Sequence, residues 1–470
     1  MAEAKAAGHV VILPSPGMGH LIPAAELAKR LILRHGLAVT VVIPGEGPPT
    51  KSQRAVVESL SPSINTVLLP PPDFSDHPPV FTRLLLTVIR SNSALRQLFR
   101  SFEVEGPLPV ALVVDPFGAD AFDVAAEFHV APYLFFTSSA NALAFALYLP
   151  ELDETVSCEY RDLTEPVHLP GCVPVPGKDL LQPVQDRKRD TYKWFLHNAK
   201  RYREAHGILV NSFQELEPRA IKALQEPATG RPPIYPVGPL VNIGSSDANR
   251  TEKSESECLQ WLDKQPPRSV LYVSFGSGGT LTQDQLNELA LGLEDSHQRF
   301  LWVVRTPSGI ANSAILDSHS QGDDDPLTFL PHGFMGRTQN RGLVIPSWAP
   351  QAQIMAHPST GGFLTHCGWN SILESIVNGV PLIAWPLYGE QRMNALLLVE
   401  EIRAALRPPS FSDGVIGREE ISDVAKRLME GEEVRNRMNE LKEAASMAFS
   451  GDGSSTRTLD DLVSFRWVKS

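Results

Sequence analysis

Cysteine is scarce in this chain: four in 470 residues, Cys158, Cys172, Cys258 and Cys367. None stands in a CxxC pair, so neither a zinc knuckle nor a disulfide framework is indicated. Long hydrophobic runs are also missing. No stretch approaches the roughly 18 apolar residues of a membrane-crossing helix, and the opening MAEAKAAGHV has no apolar signal core. A reduced, soluble compartment is therefore expected, most simply the cytosol, where the sequon Asn249-Arg250-Thr251 has no consequence. Positive charge is in deficit, with 42 Lys and Arg against 54 Asp and Glu for a net −12. That leaves no footprint for nucleic acid or anionic lipid. Any bound phosphate is expected to be held by backbone amides, helix ends and neutral side chains. Neither GxGxxG nor GxxxxGK[ST] occurs, which argues against a dinucleotide oxidoreductase and a P-loop nucleotidase.

What the chain does have is alternation. HVVILPSP (His9 to Pro16) reads as a buried strand, and GMGH turns into a helix expected from about Leu21, with Leu27, Leu31 and Ile32 at helical spacing. AVTVVIP, INTVLLP, ALVVD and APYLFF follow as strands separated by helical segments. A helix over Asp190 to His206 leads to GILVNSF and IYPVGP. Strands alternating with helices imply right-handed crossovers and a parallel sheet. SVLYVSFGSGG (Ser269 to Gly279) then restarts the plan with strand, Gly-rich turn and a helix from about Thr282. RFLWVVR, GLVIPSW, GGFLTHC, VPLIAWP and RAALRP supply a second sheet.

The α/β pattern thus predicts two doubly wound domains, 1–240 and 257–445. The polar, aperiodic stretch 241–256 is the linker, and a C-terminal helix over 446–470 is expected to pack back on the first domain. Thr306 to Pro331 reads as a long polar insertion. Its Asp323-Asp324-Asp325 run contains a DxD, but with no flanking strand it is expected to be a solvated acidic loop rather than a metal site.

Ligands of parallel α/β sheets bind beyond the carboxyl ends of the strands. In the first half, His20 follows the first strand and Asp115 ends ALVVD, at the same edge. An acceptor beside a histidine fixes its tautomer and stabilises its protonated form, so the pair suits deprotonation of a hydroxyl. The residues alone leave a second reading open, in which His20 caps a helix and Asp115 starts the next. Asp120 and Asp123 compete as carboxylates but fall inside the following helix. In the second half, Ser277 in the SFGSGG turn is expected to open a helix whose free N–H groups suit phosphate.

The densest stretch runs from Trp348 to Gln391. His366 ends a strand there, and Trp369, Asn370 and Ser371 begin a helix, where Asn and Ser are also ordinary N-caps. Glu374 lies one turn on, Trp348 precedes a Pro-started helix, and Glu390–Gln391 follow the last strand. An aromatic face, a helix start and paired polar groups could take a base, a diphosphate and a sugar in turn.

WAPQ, HP, GGF, THCGWNS, LES, GVP, WP and the closing EQ make this stretch resemble the signature box of plant family 1 UDP-glycosyltransferases. GMGHLIP and the Asp after LVV extend the resemblance over essentially the whole chain. It implies a GT-B fold, two facing Rossmann-like domains with the active site in the cleft between them. By position it implies that Trp348 stacks on uracil, Ala349 reads its edge, and Gln351 with Glu374 holds the ribose. His366, Asn370, Ser371 and Ser277 would hold the diphosphate, and Trp369, Glu390 and Gln391 the sugar. His20 and Asp115 match the family's catalytic pair. The resemblance implies an inverting transfer from UDP-glucose, with no metal and no further cofactor, giving a β-glucoside.

GEGPPTKSQR, LDETVSCEYRDL, PSGIANS and RAALRP resemble the subgroup acting on phenols, hydroquinone and lignin precursors, with indoxyl an acceptor of the same shape and aryl amines also within reach. The acceptor pocket is then expected near Pro116, Phe117, Tyr148, Trp194 and Tyr388, and the chain is expected to act as a monomer. Two departures stand out: Gly389 where the box has Ala, and Ile372 where Thr or Val is commoner. The rival class is a non-catalytic UDP-sugar-binding protein on the same fold, which has no need of His20 with Asp115. A GT-B epimerase or phosphorylase is a third reading, and the uridine-type box argues against the phosphorylase.

Overall fold

The computed structural model describes residues 8–76, 80–242, 253–311, 325–409 and 414–467. The chain forms two compact units, Met1–Val241 with Met447–Ser470, and Asn242–Ser446.

The first unit is built on seven parallel strands: β1 His9–Leu13, β2 Ala38–Ile43, β3 Ile64–Leu68, β4 Ala111–Val114, β5 Ala131–Phe136, β6 Ile208–Val210 and β7 Ile234–Pro236. Their order is β3-β2-β1-β4-β5-β6-β7, with Leu13 beside Val114 in the β1–β4 register. A parallel sheet is covered by helices on both faces, so its strands read as unbroken apolar runs rather than alternating ones. Val10, Val11, Ile12 and Leu13, like Ala111 to Val114, are almost wholly buried. The strand order reverses direction between β1 and β4, which opens a crevice at their carboxyl ends.

The helix after β1 runs Met18–His35, three residues earlier than expected, because Gly17 at φ 118 turns the chain at once. It presents Leu21, Ala24, Ala25, Leu27, Ala28 and Leu31 to the sheet. The helix expected over 190–206 is α-helical only for Asp190–Arg201, and Tyr202–Glu204 tightens into a 3-10 turn. Residues from the far end of the chain complete this core. Leu459, Leu462, Val463 and Trp467 are buried in the same apolar cluster as Val10 and Ile12, and the Trp467 ring meets Tyr133 edge-on at 5.3 Å.

The second unit has six parallel strands: β8 Val270–Ser274, β9 Arg299–Val304, β10 Gly342–Pro346, β11 Thr360–Thr365, β12 Leu382–Ala384 and β13 Ala405–Leu406. Their order is β10-β9-β8-β11-β12-β13, so the reversal lies between β8 and β11. Of the stretch expected to link the two domains, 243–252 lie outside the described residues. Its end is helical, since Lys253–Leu262 forms a helix anchored by buried Cys258 and Leu262, an apolar signal that falls beyond the polar run. Within the 306–331 insertion, 312–324 also lie outside the described residues, Asp323 and Asp324 among them. Asp325 accepts a hydrogen bond from Leu327 N at 3.0 Å and caps a short 3-10 turn.

Candidate active site

In the first unit the strand ends bring His20 and Asp115 together, with His20 Nδ1 2.8 Å from Asp115 Oδ2. The Asp115 side chain is 2% exposed and that of His20 24%, so the carboxylate lies behind and the imidazole in front. Asp115 is gripped from its own crevice: Ser15 N donates to Oδ2 at 2.6 Å, Phe117 N donates to Oδ1 at 3.1 Å, and Ser15 Oγ also donates to Oδ1. Thr137 Oγ1 lies 3.4 Å from His20 Nδ1. A carboxylate can only accept, so the Nδ1 proton points at Asp115, and the lone pair of the neutral ring belongs to Nε2. The bland reading of the pair fails on geometry, because His20 sits inside the first turn of a helix whose N-cap is Gly17.

Ser15 and Thr137 were not singled out from the sequence, although each stands just past a strand end. Which ends meet depends on strand order, which letters do not carry. The competing carboxylates are engaged elsewhere. Asp120 Oδ1 is 2.7 Å from His197 Nε2 and 2.8 Å from Arg201 Nη1, while Asp123 pairs with Arg201 at 2.6 Å. Burial alone would raise the Asp120 carboxyl, but those hydrogen bonds hold it below the usual carboxylate range.

Of the expected acceptor residues, the Phe117 ring lies 5.3 Å from that of His20. Pro116 is buried, and its carbonyl accepts from Tyr202 OH at 2.9 Å. Tyr148 is half-buried on the helix Ala140–Thr155, and Trp194 lies edge-on to His197 with ring centres 5.6 Å apart. Tyr388 belongs to the second unit.

In the second unit, the β8 and β11 ends face each other across the reversal. His366, just after β11, is 7% exposed, and burial with the charge of Arg305 pushes its pKa down to about 3. Its neutral form is thereby favoured. Its ring is walled by two glycines: a Cβ on Gly276 would fall 2.4 Å from Nε2, and one on Gly368 2.5 Å. Those two positions admit no side chain while the imidazole stays where it is. The Gly-rich turns and His366 are each legible in the sequence, but that the glycines make room for this imidazole is not.

Ser277 is exposed on that first turn and does not open a helix. The next helix is Gln283–Asp295, capped by Thr282 Oγ1, which accepts from Gln285 N at 3.2 Å. The expected caps Asn370 and Ser371 are not caps either. The helix Trp369–Asn378 has Gly368 as its N-cap with no side-chain cap bond, so both residues lie within its first turn. Trp369 is 2% exposed, so its indole is packed inward.

Gln351 Nε2 donates to Glu374 Oε2 at 2.6 Å and to Ser371 Oγ at 2.9 Å, uniting three of the expected residues. Burial raises the Glu374 carboxyl to about 7 against the pull of Gln351. Trp348 is 48% exposed, thrown outward by a tight turn in which Ser347 takes φ 64, while neighbouring Ala349 is buried. Glu390 begins the helix Gln391–Leu396, and Gln391 is buried with its Oε1 accepting from Leu387 N and Tyr388 N at 2.8 and 2.9 Å. Gly389 has φ 65, and a Cβ there would meet nothing within 4 Å. Ile372 is fully buried.

The family described as UDP-glucoronosyl and UDP-glucosyl transferase matches residues 232–408. UDP-glycosyltransferase 72B1 of Arabidopsis thaliana is 66% identical over 99% of this chain and 97% of its own. Identity of this level over the full length decides the matter. The chain belongs to the UDP-glycosyltransferase family. Hydroquinone glucosyltransferase of Rauvolfia serpentina is 54% identical over 97% of each chain. A solved UDP-glucosyltransferase from Polygonum tinctorium, capable of glucosylating indoxyl and in complex with 3,4-dichloroaniline, superposes with TM-score 0.89 at 52% identity, covering 98% of this chain and 99% of that one. The glycosyltransferase thus has the GT-B fold, each of its two sheets carrying one Rossmann-like unit.

Proposed function

We propose that this enzyme transfers glucose from UDP-glucose to the hydroxyl of a small aromatic acceptor (a phenol, hydroquinone, monolignol or indoxyl) with inversion at the anomeric carbon. His20 Nε2 takes the acceptor proton, and Asp115 holds the resulting imidazolium through Nδ1–H. The acceptor oxygen bonds to the anomeric carbon as the bond to the β-phosphate oxygen breaks. UDP departs with that electron pair, leaving a β-glucoside. The observation that carries the reading is the His20–Asp115 contact of 2.8 Å at the strand reversal, with the imidazole outward and the carboxylate in.

In the second unit, the exposed Trp348 is assigned to the uracil face, the Ala349 backbone to its edge, and Gln351 with Glu374 to the ribose. His366, Asn370, Ser371 and Ser277 are assigned to the diphosphate, and Trp369, Glu390 and Gln391 to the sugar. His366, neutral and enclosed, contributes shape and dipole rather than charge. The acceptor class is supported by the hydroquinone and indoxyl activities named for the two relatives. Phe117 is the aromatic wall nearest the base, and an aryl amine is an alternative nucleophile for the same site.

Residues 348–391 are read as the family's signature box, serving secondary metabolism without a metal. All four cysteines are free, which fits a reducing compartment, and we place the enzyme in the cytosol as a monomer. Among the described residues no helix is long and apolar enough to cross a membrane.

Purified protein with UDP-glucose and hydroquinone should release UDP and form the β-glucoside equally well with and without a chelator. No glucoside from any member of a broad phenol, monolignol, indoxyl and flavonoid panel would sink the reading, and loss of turnover on chelation would sink its metal-free part.

A further inference from the structure

Arg305 stands one residue past the end of β9, at the same sheet edge as the Gly-rich turn after β8 and as His366 after β11. Its Nη1 donates to Gly279 O at 3.3 Å, which ties it to the Ser277-bearing turn. Its charge is felt by His366 and by the Tyr388 phenol, so it lies within electrostatic reach of both ends of the assigned donor site.

A guanidinium has five N–H donors and no acceptor, and taking it out of water is costly unless an anion compensates. Two other arginines are likewise pulled down by burial. Arg30 has Glu26 as an opposing charge, and Arg435 has Glu432. Among the described residues, Arg305 has the phenols of Tyr272 and Tyr388 as its charge-bearing neighbours and no salt bridge to a carboxylate. A half-buried cation without its anion, beside a turn of small residues at a strand reversal, is poised for an anionic ligand.

Resting on the donor assignment above, we propose that Arg305 supplies the positive charge that complements the diphosphate of the bound nucleotide and of the departing UDP. This departs from the expectation drawn from the acidic composition, that amides, helix ends and neutral groups hold the phosphate. One cation suffices where the surroundings are poor in solvent, because charge-assisted contacts are strong there.

The test is calorimetric binding of UDP, UMP and uridine to the full-length protein, its Arg305→Gln variant and its Arg305→Lys variant. Arg305→Gln should weaken UDP by roughly 10- to 100-fold, the range of a lost charged hydrogen bond, while uridine changes less than about 2-fold. Arg305→Lys should keep most of the UDP preference. An unchanged UDP-to-uridine ratio in Arg305→Gln, or equal losses in both variants, overturns the proposal. Should Arg305→Gln fail to fold, the salt dependence of the wild type decides. UDP affinity should fall more steeply than uridine affinity as KCl rises, and parallel slopes overturn the proposal. A wild type that binds no UDP at all refutes the donor reading itself, a result distinct from UDP binding that is indifferent to Arg305.

Discussion

Each unit carries a histidine beyond a strand end where the sheet order reverses, His20 in the first turn of the helix after β1 and His366 directly after β11, and the two have opposite properties. His20 is partly exposed and backed by Asp115 at 2.8 Å. His366 is buried, pushed down to about 3 by burial and Arg305, and enclosed by Gly276 and Gly368. Position in the fold therefore does not make a histidine a base. The charge at its back and the water at its front do. A carboxylate stands behind one imidazole, while burial, with a guanidinium nearby, favours the neutral form of the other.

The sharpest way to break this contrast is at His20. His20→Ala should cut turnover by at least ~100-fold while UDP affinity, read by calorimetry, is unchanged. Near-normal turnover with several acceptors would remove the base from this unit altogether.

A second test uses the titrating group of the other unit. The Glu374 carboxyl is raised to about 7 in the folded protein, against 4.5 for the ordinary group. Between those values the native state holds more protons than the unfolded one, so wild-type stability falls as pH rises from about 4.5 through 7 and then levels off. The loss is on the order of 3 kcal/mol. Glu374→Gln should abolish that slope in denaturant titrations taken at several pH values, and parallel pH profiles for the two proteins would count against it.

The glycine wall gives the third. Gly368 has φ −63, which any residue can adopt, so Gly368→Ala isolates the clash with His366 from backbone strain. Overpacking of this kind costs about 1–3 kcal/mol, and UDP affinity should fall with it. If Gly368→Ala costs no stability in a His366→Ala background, the imidazole is what the glycine accommodates.

The smallest effect is expected at Gly389→Ala. Space is open there and only φ 65 opposes it, for about 1 kcal/mol of stability, with little change in the Michaelis constant for UDP-glucose.

Much of the architecture was legible because buried parallel strands announce themselves as apolar runs: VVIL, ALVV and LYVS each became a strand. Asp115 was legible because it terminates such a run, and His20 because it follows the Gly-rich turn after another. Helix starts were legible in part: those at Thr282 and Trp369 fall where expected, whereas the helix after β1 begins three residues early. Gly17 and Gly368 are N-caps without a side-chain bond, so no Ser or Asn caps either helix. Ser277 misled for the converse reason, since a Gly-rich turn can be followed by several more residues before its helix. Ser15, Thr137, Gly276 and Arg305 escaped notice because their meaning depends on what lies across the sheet edge. Ser15 matters through Asp115, one hundred residues away, and Arg305 through the carboxylate it lacks.

The burial of Leu459, Leu462, Val463 and Trp467 beneath the β1 sheet has a consequence for biosynthesis. Chains emerge from the ribosome at about 5–20 residues per second, and domains fold as units when their parts are available. The unit that carries His20 is begun first yet lacks part of its core until the whole second unit has been translated. Synthesis order and completion order are thus inverted, and the first unit must hold an unfinished apolar surface while the second takes shape.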